Sequence, residues 1–195
     1  MERRQFIAGV GAVTTGGSAL IGSGAFSRVE SQRHVTVQTA HDRDAYVELN
    51  VITGSDNSTN FVDFDDNGHL EIDLEFGSQN GDGANSNSHT WWDDLFKICN
   101  RGKADADVYV ADTEGVGMDD AEIAFYTGSA SGSDGDDGIK SIVGQHNDQT
   151  VPLGECLNIG LRSNSKGVSA PETLFEDHVT IVSDSPDAGD EDYDG

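Results

Sequence analysis

Six short segments of this chain alternate apolar and polar residues: "HVTVQT" (34–39), "AYVELNV" (45–51), "HLEIDLEF" (69–76), "DVYVAD" (107–112), "EIAFYT" (122–127) and "HVTIVS" (178–183). Successive side chains of a strand point to opposite faces, so this period of two specifies strands with one buried and one wet face. The stretches between them, such as "GSQNGDGANSNSHT" (77–90) and "TGSASGSDGDDG" (127–138), are Gly, Asp, Ser and Asn rich and read as surface loops. Strands are expected at 33–39, 45–52, 69–76, 94–100, 106–111, 121–127, 139–143, 149–153, 155–162 and 177–183. No segment carries a helical stripe, and only a turn or two is expected near "APETLFED" (170–177). The pattern predicts an all-β fold, a β-sandwich or jelly roll of roughly 8 to 10 short antiparallel strands, spanning residues 27–183.

Charge tests that reading, because a formal net charge of −25 on 195 residues approaches the composition of disordered chains. A disordered polyanion has no reason to alternate, so the alternation decides for a folded domain. The acids are mainly Asp, 25 against 11 Glu, and the chain has four Lys. Such self-repulsion opposes compaction at ordinary ionic strength, whereas at 1 M salt the screening length falls to about 3 Å. The composition therefore reads as adaptation to high salt, and it excludes nucleic acid and anionic lipid as partners. Residues 184–195, acidic and poor in aliphatic side chains, read as a disordered tail.

The first residues carry an address. Arg3 and Arg4 precede an uncharged, Gly-rich run from Gln5 to Ser27, too diluted by Gly, Ser and Thr for a good membrane span. A charged start, a mildly apolar middle and small residues near Ala25 fit a removable export signal over 1–26, of the twin-arginine type that carries folded domains. No stable span is expected after its removal, and the protein is expected outside the cell or on its surface. Gly9, Gly11, Gly16 and Gly17 do not make a phosphate cradle, because no strand can precede them.

Chemistry has few places to reside. Asp63, Asp65 and Asn67 followed by Gly68 reproduce the first half of a calcium loop, but Leu74 stands where the bidentate Glu belongs. A non-helical calcium turn and a plain acidic hairpin turn are the two readings; calcium is the one cofactor considered. The histidines form no metal-binding pair on a helix, no nucleophile elbow precedes a helix, and the carboxylates are too numerous for any two to be singled out. No catalytic residue is assigned and the chain is not expected to be an enzyme. Trp91 and Trp92 read as one core and one half-exposed side chain, with sugar stacking as the alternative. Asn57-Ser58-Thr59 is an acceptor sequon. Cys99 and Cys156 form a disulfide if their strands are neighbours in register, and two buried thiols otherwise.

The pattern "RR.F..G.GA...GG.AL.GSGAFS.VE..R.V.V", then "DAYVEL", then "DLFKICNRGKADADVYV" resembles a family of exported proteins of salt-loving archaea known as domain of unknown function 1102. More remotely, the strand formula Phe96-x-Ile98-x-Asn100-x-Gly102 is similar to one in the camelysin and TasA group of secreted β-sandwich proteins. The TasA resemblance implies fibres assembled by donation of an N-terminal strand, a form of β-augmentation. Its counterpart here is Arg33, His34, Val35, Thr36, Val37, Gln38 and Thr39. Camelysin implies a metal-dependent protease, but no ligand spacing in this chain supports carrying that over. The leading expectation is a non-catalytic structural protein whose partners are its own copies or other surface components. A calcium- or carbohydrate-binding module is second and a secreted hydrolase third.

Overall fold

The computed structural model describes residues 38–75, 83–117, 120–131 and 137–184. Its longest ladder joins β4 (His89–Asn100) to β9 (Cys156–Asn164), antiparallel from His89 opposite Asn164 to Cys99 opposite Cys156. β1 (Val47–Asn50) flanks β4, while β6 (Ile123–Ser131) and then β7 (Asp137–Ser141) flank β9, giving a five-stranded sheet in the order β1-β4-β9-β6-β7. A second sheet places β5 (Ala106–Val110) between β10 (Ile181–Asp184) and β8 (Gln149–Val151). β2 (Val62–Phe64) and β3 (Leu70–Ile72) form a small hairpin. All named pairings are antiparallel, and the architecture is the expected all-β, sandwich-like one.

Alternation becomes packing most plainly in β5, where Ala106, Val108 and Val110 are buried and Asp107 and Tyr109 are not. These three and Val151 meet Phe96, Ile98, Phe125, Ile159 and Leu161 of the larger sheet in one core. Phe96 and Phe125 pack edge to face with ring centroids 6.2 Å apart, a geometry that adds to area burial. On the other face of the larger sheet Tyr126 lies opposite Gly160, and any side chain at Gly160 would overlap the tyrosine ring.

The chain crosses from one sheet to the other after β4, and Asn100 closes that corner. The Asn100 amide donates to the carbonyls of Ala104 (2.8 Å) and Val151 (2.9 Å), and its oxygen accepts from the Gly102 N–H (2.9 Å). Asn100 is 2% exposed, so these groups have no water to fall back on. One residue earlier, Cys99 and Cys156 face each other across the ladder with Cα atoms 4.0 Å apart and are joined by a disulfide.

Three local expectations are corrected. β4 starts at His89 rather than 94, because a bulge between Trp92 and Phe96 interrupts the alternation at Asp93 and Asp94. The one α-helix among the described residues is α1 (Asp56–Phe61), not 170–177. Ser55 caps it by accepting from the Ser58 N–H, and at under two turns it is too short to show a stripe. β10 ends at Asp184, which the sequence assigned to the tail and which pairs with Asp107.

Two outcomes follow from the corner. Asn100→Asp keeps the acceptor for Gly102 but loses both donors and buries a charge; it is expected to cost about 3 kcal/mol in chemical denaturation. Replacing both cysteines with Ala removes a cross-link spanning 57 residues and is expected to cost about 2–4 kcal/mol, measured against the oxidised parent.

Candidate functional site

β1 is an end strand of the larger sheet, and no strand among the described residues pairs with its other side. The Arg101 N–H donates to the Tyr46 carbonyl (2.7 Å), and antiparallel bonding alternates. Glu48 and Asn50 therefore turn their backbone groups toward β4, while Val47 and Leu49 present theirs outward. The side chains of Val47 and Leu49 pack against the core. Beyond Asn50 the edge is closed locally, because Asn50 Oδ1 accepts from the Val51 N–H (2.9 Å) and Ser58 Oγ from the Ile52 N–H (2.7 Å).

On the opposite face Glu48 is 8% exposed. It accepts from the Asn50 amide (2.7 Å) and from Arg101 Nε (2.6 Å). Those two bonds, Asn50 first, hold its carboxyl below the usual range against the opposing effect of burial. Tyr46, carbonyl-bonded to Arg101, is 73% exposed, and Leu153, next to the Gly154 that donates to the Asn100 carbonyl, is 52% exposed. These two large apolar side chains thus flank the end of β4.

The segment leading into β1 is tied to the β2–β3 hairpin. The His41 ring Nδ1–H donates to the Asn67 carbonyl (2.5 Å) and the Asp42 N–H to the Gly68 carbonyl (3.1 Å). Asp42 Oδ2 accepts from the Leu70 N–H (2.8 Å), and the Arg43 guanidinium lies 4.0 Å from the centre of the Phe64 ring.

Within that hairpin stand Asp63, Asp65 and Asn67. Asp65 Oδ1 accepts from the N–H groups of Asn67 and His69 (both 2.8 Å), and Oδ2 from His69 Nδ1 (3.0 Å). Led by the His69 N–H, these bonds lower the Asp65 carboxyl from its ordinary 3.8 to about 2. Asp63 Oδ1 accepts from the Phe64 N–H (2.8 Å). The Asp65 carboxylate thus serves the turn's own donors. Among the described residues no three His, Cys, Asp or Glu side chains are gathered to hold a metal ion.

The other sequence candidates lie apart. Arg33, His34, Val35, Thr36 and Val37 are outside the described residues; Gln38 and Thr39 are exposed and in no strand, so the expected strand does not reach them. Residues 1–26, expected to be an export signal, and residues 185–195 are likewise outside the described residues. The Asn57 amide nitrogen, the atom a glycan would occupy, donates to the Asp93 carbonyl (2.7 Å). Trp92 is buried against Phe61, and Trp91 is half-buried with its ring edge on His89.

Sequence reasoning missed the node at the β4 bulge. Asp93 accepts from the Tyr126 hydroxyl (2.6 Å), Ser129 Oγ (2.8 Å) and the Ala130 N–H (2.9 Å). Burial opposes its ionisation, yet the three bonds together keep the carboxyl below its ordinary range. Tyr126 is pushed well up by burial and then by Asp93. Asp94, at φ +52, accepts from Asn158 (2.9 Å) and through its carbonyl from Ser55 Oγ (2.7 Å). An Asp-Asp pair interrupting a long apolar strand was the available signal.

No protein-family model matches the chain, and no curated protein matches it.

The lowered Asp65 value sets a sign. A carboxyl with a folded value of about 2 against an ordinary 3.8 stabilises the turn above pH 4 or so and ceases to as pH falls toward 2. In an acid titration followed at the His69 and Leu70 amides, the parent hairpin is expected to loosen in that window. Asp65→Asn is expected to start looser and to show no such step.

Proposed function

We propose that the protein is an exported, salt-adapted, non-catalytic structural protein of the cell surface or extracellular space. Its copies join by strand addition, residues 33–39 of one pairing with the β1 edge of the next. The observation that carries this reading is the open β1 edge, where Val47 and Leu49 turn unpaired backbone groups outward.

An exposed edge is a template for another strand, and proteins that do not use one blunt it with charge, proline or a bulge. β1 reads "VELN", with no proline and no bulge against β4. Its charged side chain, Glu48, is held to Arg101 on a sheet face. The upstream segment "RHVTVQT" carries no acid. It is one of the few stretches of this polyanion that can approach another copy without like-charge repulsion. Its alternation suits a strand that buries one face on arrival. The export reading rests on the Arg3–Arg4 signal, and the salt adaptation on the net charge of −25.

Deletion of residues 28–40 tests the reading. At high salt the full chain is expected to form concentration-dependent oligomers or fibres, seen by light scattering and electron microscopy. The deletion is expected to give a monomer with an unchanged melting transition. A deletion variant that keeps the fold and still assembles like the parent would sink strand donation.

A further inference from the structure

Three consecutive residues ahead of β1, His41, Asp42 and Arg43, are each joined to one hairpin. His41 and Asp42 bond to the carbonyls of Asn67 and Gly68, Asp42 receives the Leu70 N–H, and Arg43 covers Phe64. Gly68, at φ +82, is required twice: the turn needs the left-handed backbone, and any side chain there would overlap the His41 ring. The segment and the hairpin fit each other, although His41 and Asn67 lie 26 residues apart.

The same fit has an electrostatic cost. Through the bonds of Asp42 to Gly68 and Leu70 it brings a segment that carries Asp42 and Asp44 against a hairpin that carries Asp63, Asp65 and Asp66, with Arg43 as the one Lys or Arg of either. Hydrogen bonds and a ring stacked under a guanidinium act at contact and change little with ionic strength. Repulsion among carboxylates acts over longer distances and is screened, the Debye length falling from about 10 Å at 0.1 M to about 3 Å at 1 M salt. Salt therefore removes the term that opposes closure and largely spares those that favour it.

We propose that residues 41–43 and the β2–β3 hairpin form a salt-dependent clip, closed at molar salt and opening as ionic strength falls, which fixes where the chain upstream of His41 leaves the domain. Closed, that chain departs from the turn at Asn67 and Gly68. Open, residues 38–46 become a free connection, long enough for an upstream strand to fold back on the β1 edge of its own copy. Closure thus takes away the slack that self-pairing needs and leaves residues 33–39 to another copy. This last consequence rests on the strand-donation reading; the clip itself does not.

Hydrogen exchange of the full chain at about 0.5 M and about 3 M KCl separates the two. The reporters are the Asp42 and Leu70 amides, which the clip protects, against the Val110 amide, bonded to the Ile142 carbonyl in the core. Relative to Val110, protection of Asp42 and Leu70 is expected to rise about tenfold with salt. The pair Asp63→Asn and Asp66→Asn should give that protection already at the lower salt. The pair His41→Ala and Arg43→Ala should abolish it at both. A reporter ratio unmoved by salt and by the Asn pair would overturn the clip. An opened clip with assembly at high salt unchanged would overturn its role in assembly, while persistence of oligomers after deletion of residues 28–40 would remove the strand-donation reading alone.

Discussion

Asn100 is the contact on which the two-sheet arrangement turns. Two sheets can share a core only if the chain passes between them without stranding polar backbone in it. The short crossing from β4 to β5 puts the carbonyl of Ala104 and the N–H of Gly102 at that risk, as the end of β8 does the carbonyl of Val151, and one amide side chain satisfies all three. Glycine at 102 keeps the space beside it, since a side chain there would lie 3.1 Å from the Asn100 oxygen. Cys99 and the Arg101–Glu48 pair flank the same corner, so the disulfide and this ion pair brace it from the outer face. The formula Phe96-x-Ile98-x-Asn100-x-Gly102 thus has a role in folding at each named position: two core side chains, a corner amide and a glycine packed close to it.

Charge shapes the rest by scarcity. With 11 basic side chains against 36 acidic ones, most carboxylates have no cation to meet and must use backbone N–H groups or water instead. Asp65 and Asp93 do the former, each drawing on several donors, and both carboxyls are held low by them. Two cations are placed where they close something: Arg101 on Glu48, Arg43 on Phe64. Such an arrangement tolerates a high acid density without depending on pairing.

What the sequence made legible was whatever repeats along the chain. The alternation in "ADVYV" became β5, buried at every second residue, and "AYVELNV" became β1, because period two is a local property that packing then uses. What it hid depended on breaks and distances. The bulge at Asp93 and Asp94 looks like the end of a loop until Tyr126, Ser129 and Ala130 arrive from β6 to bind it. Helix α1 is shorter than the window in which a stripe can be seen. The facing of Cys99 and Cys156 is a matter of register between strands far apart in sequence. Of the candidate calcium turn, the spacing was legible but the direction of the carboxylate was not: Asp65 points into its own turn.

The same distinction bears on function. A strand formula that owes its residues to a corner can be shared by proteins that do different things, so it carries architecture more reliably than activity. Activity in a domain of this kind has to come from what the corner leaves open. Here that is an end strand with outward backbone groups, the exposed Tyr46 just ahead of it, and a leading segment held to a hairpin by three successive residues. Each is ordinary alone. Together the β1 edge and the His41–Arg43 segment that leads into it lie on one side of β4, the arrangement that the proposed strand addition would use.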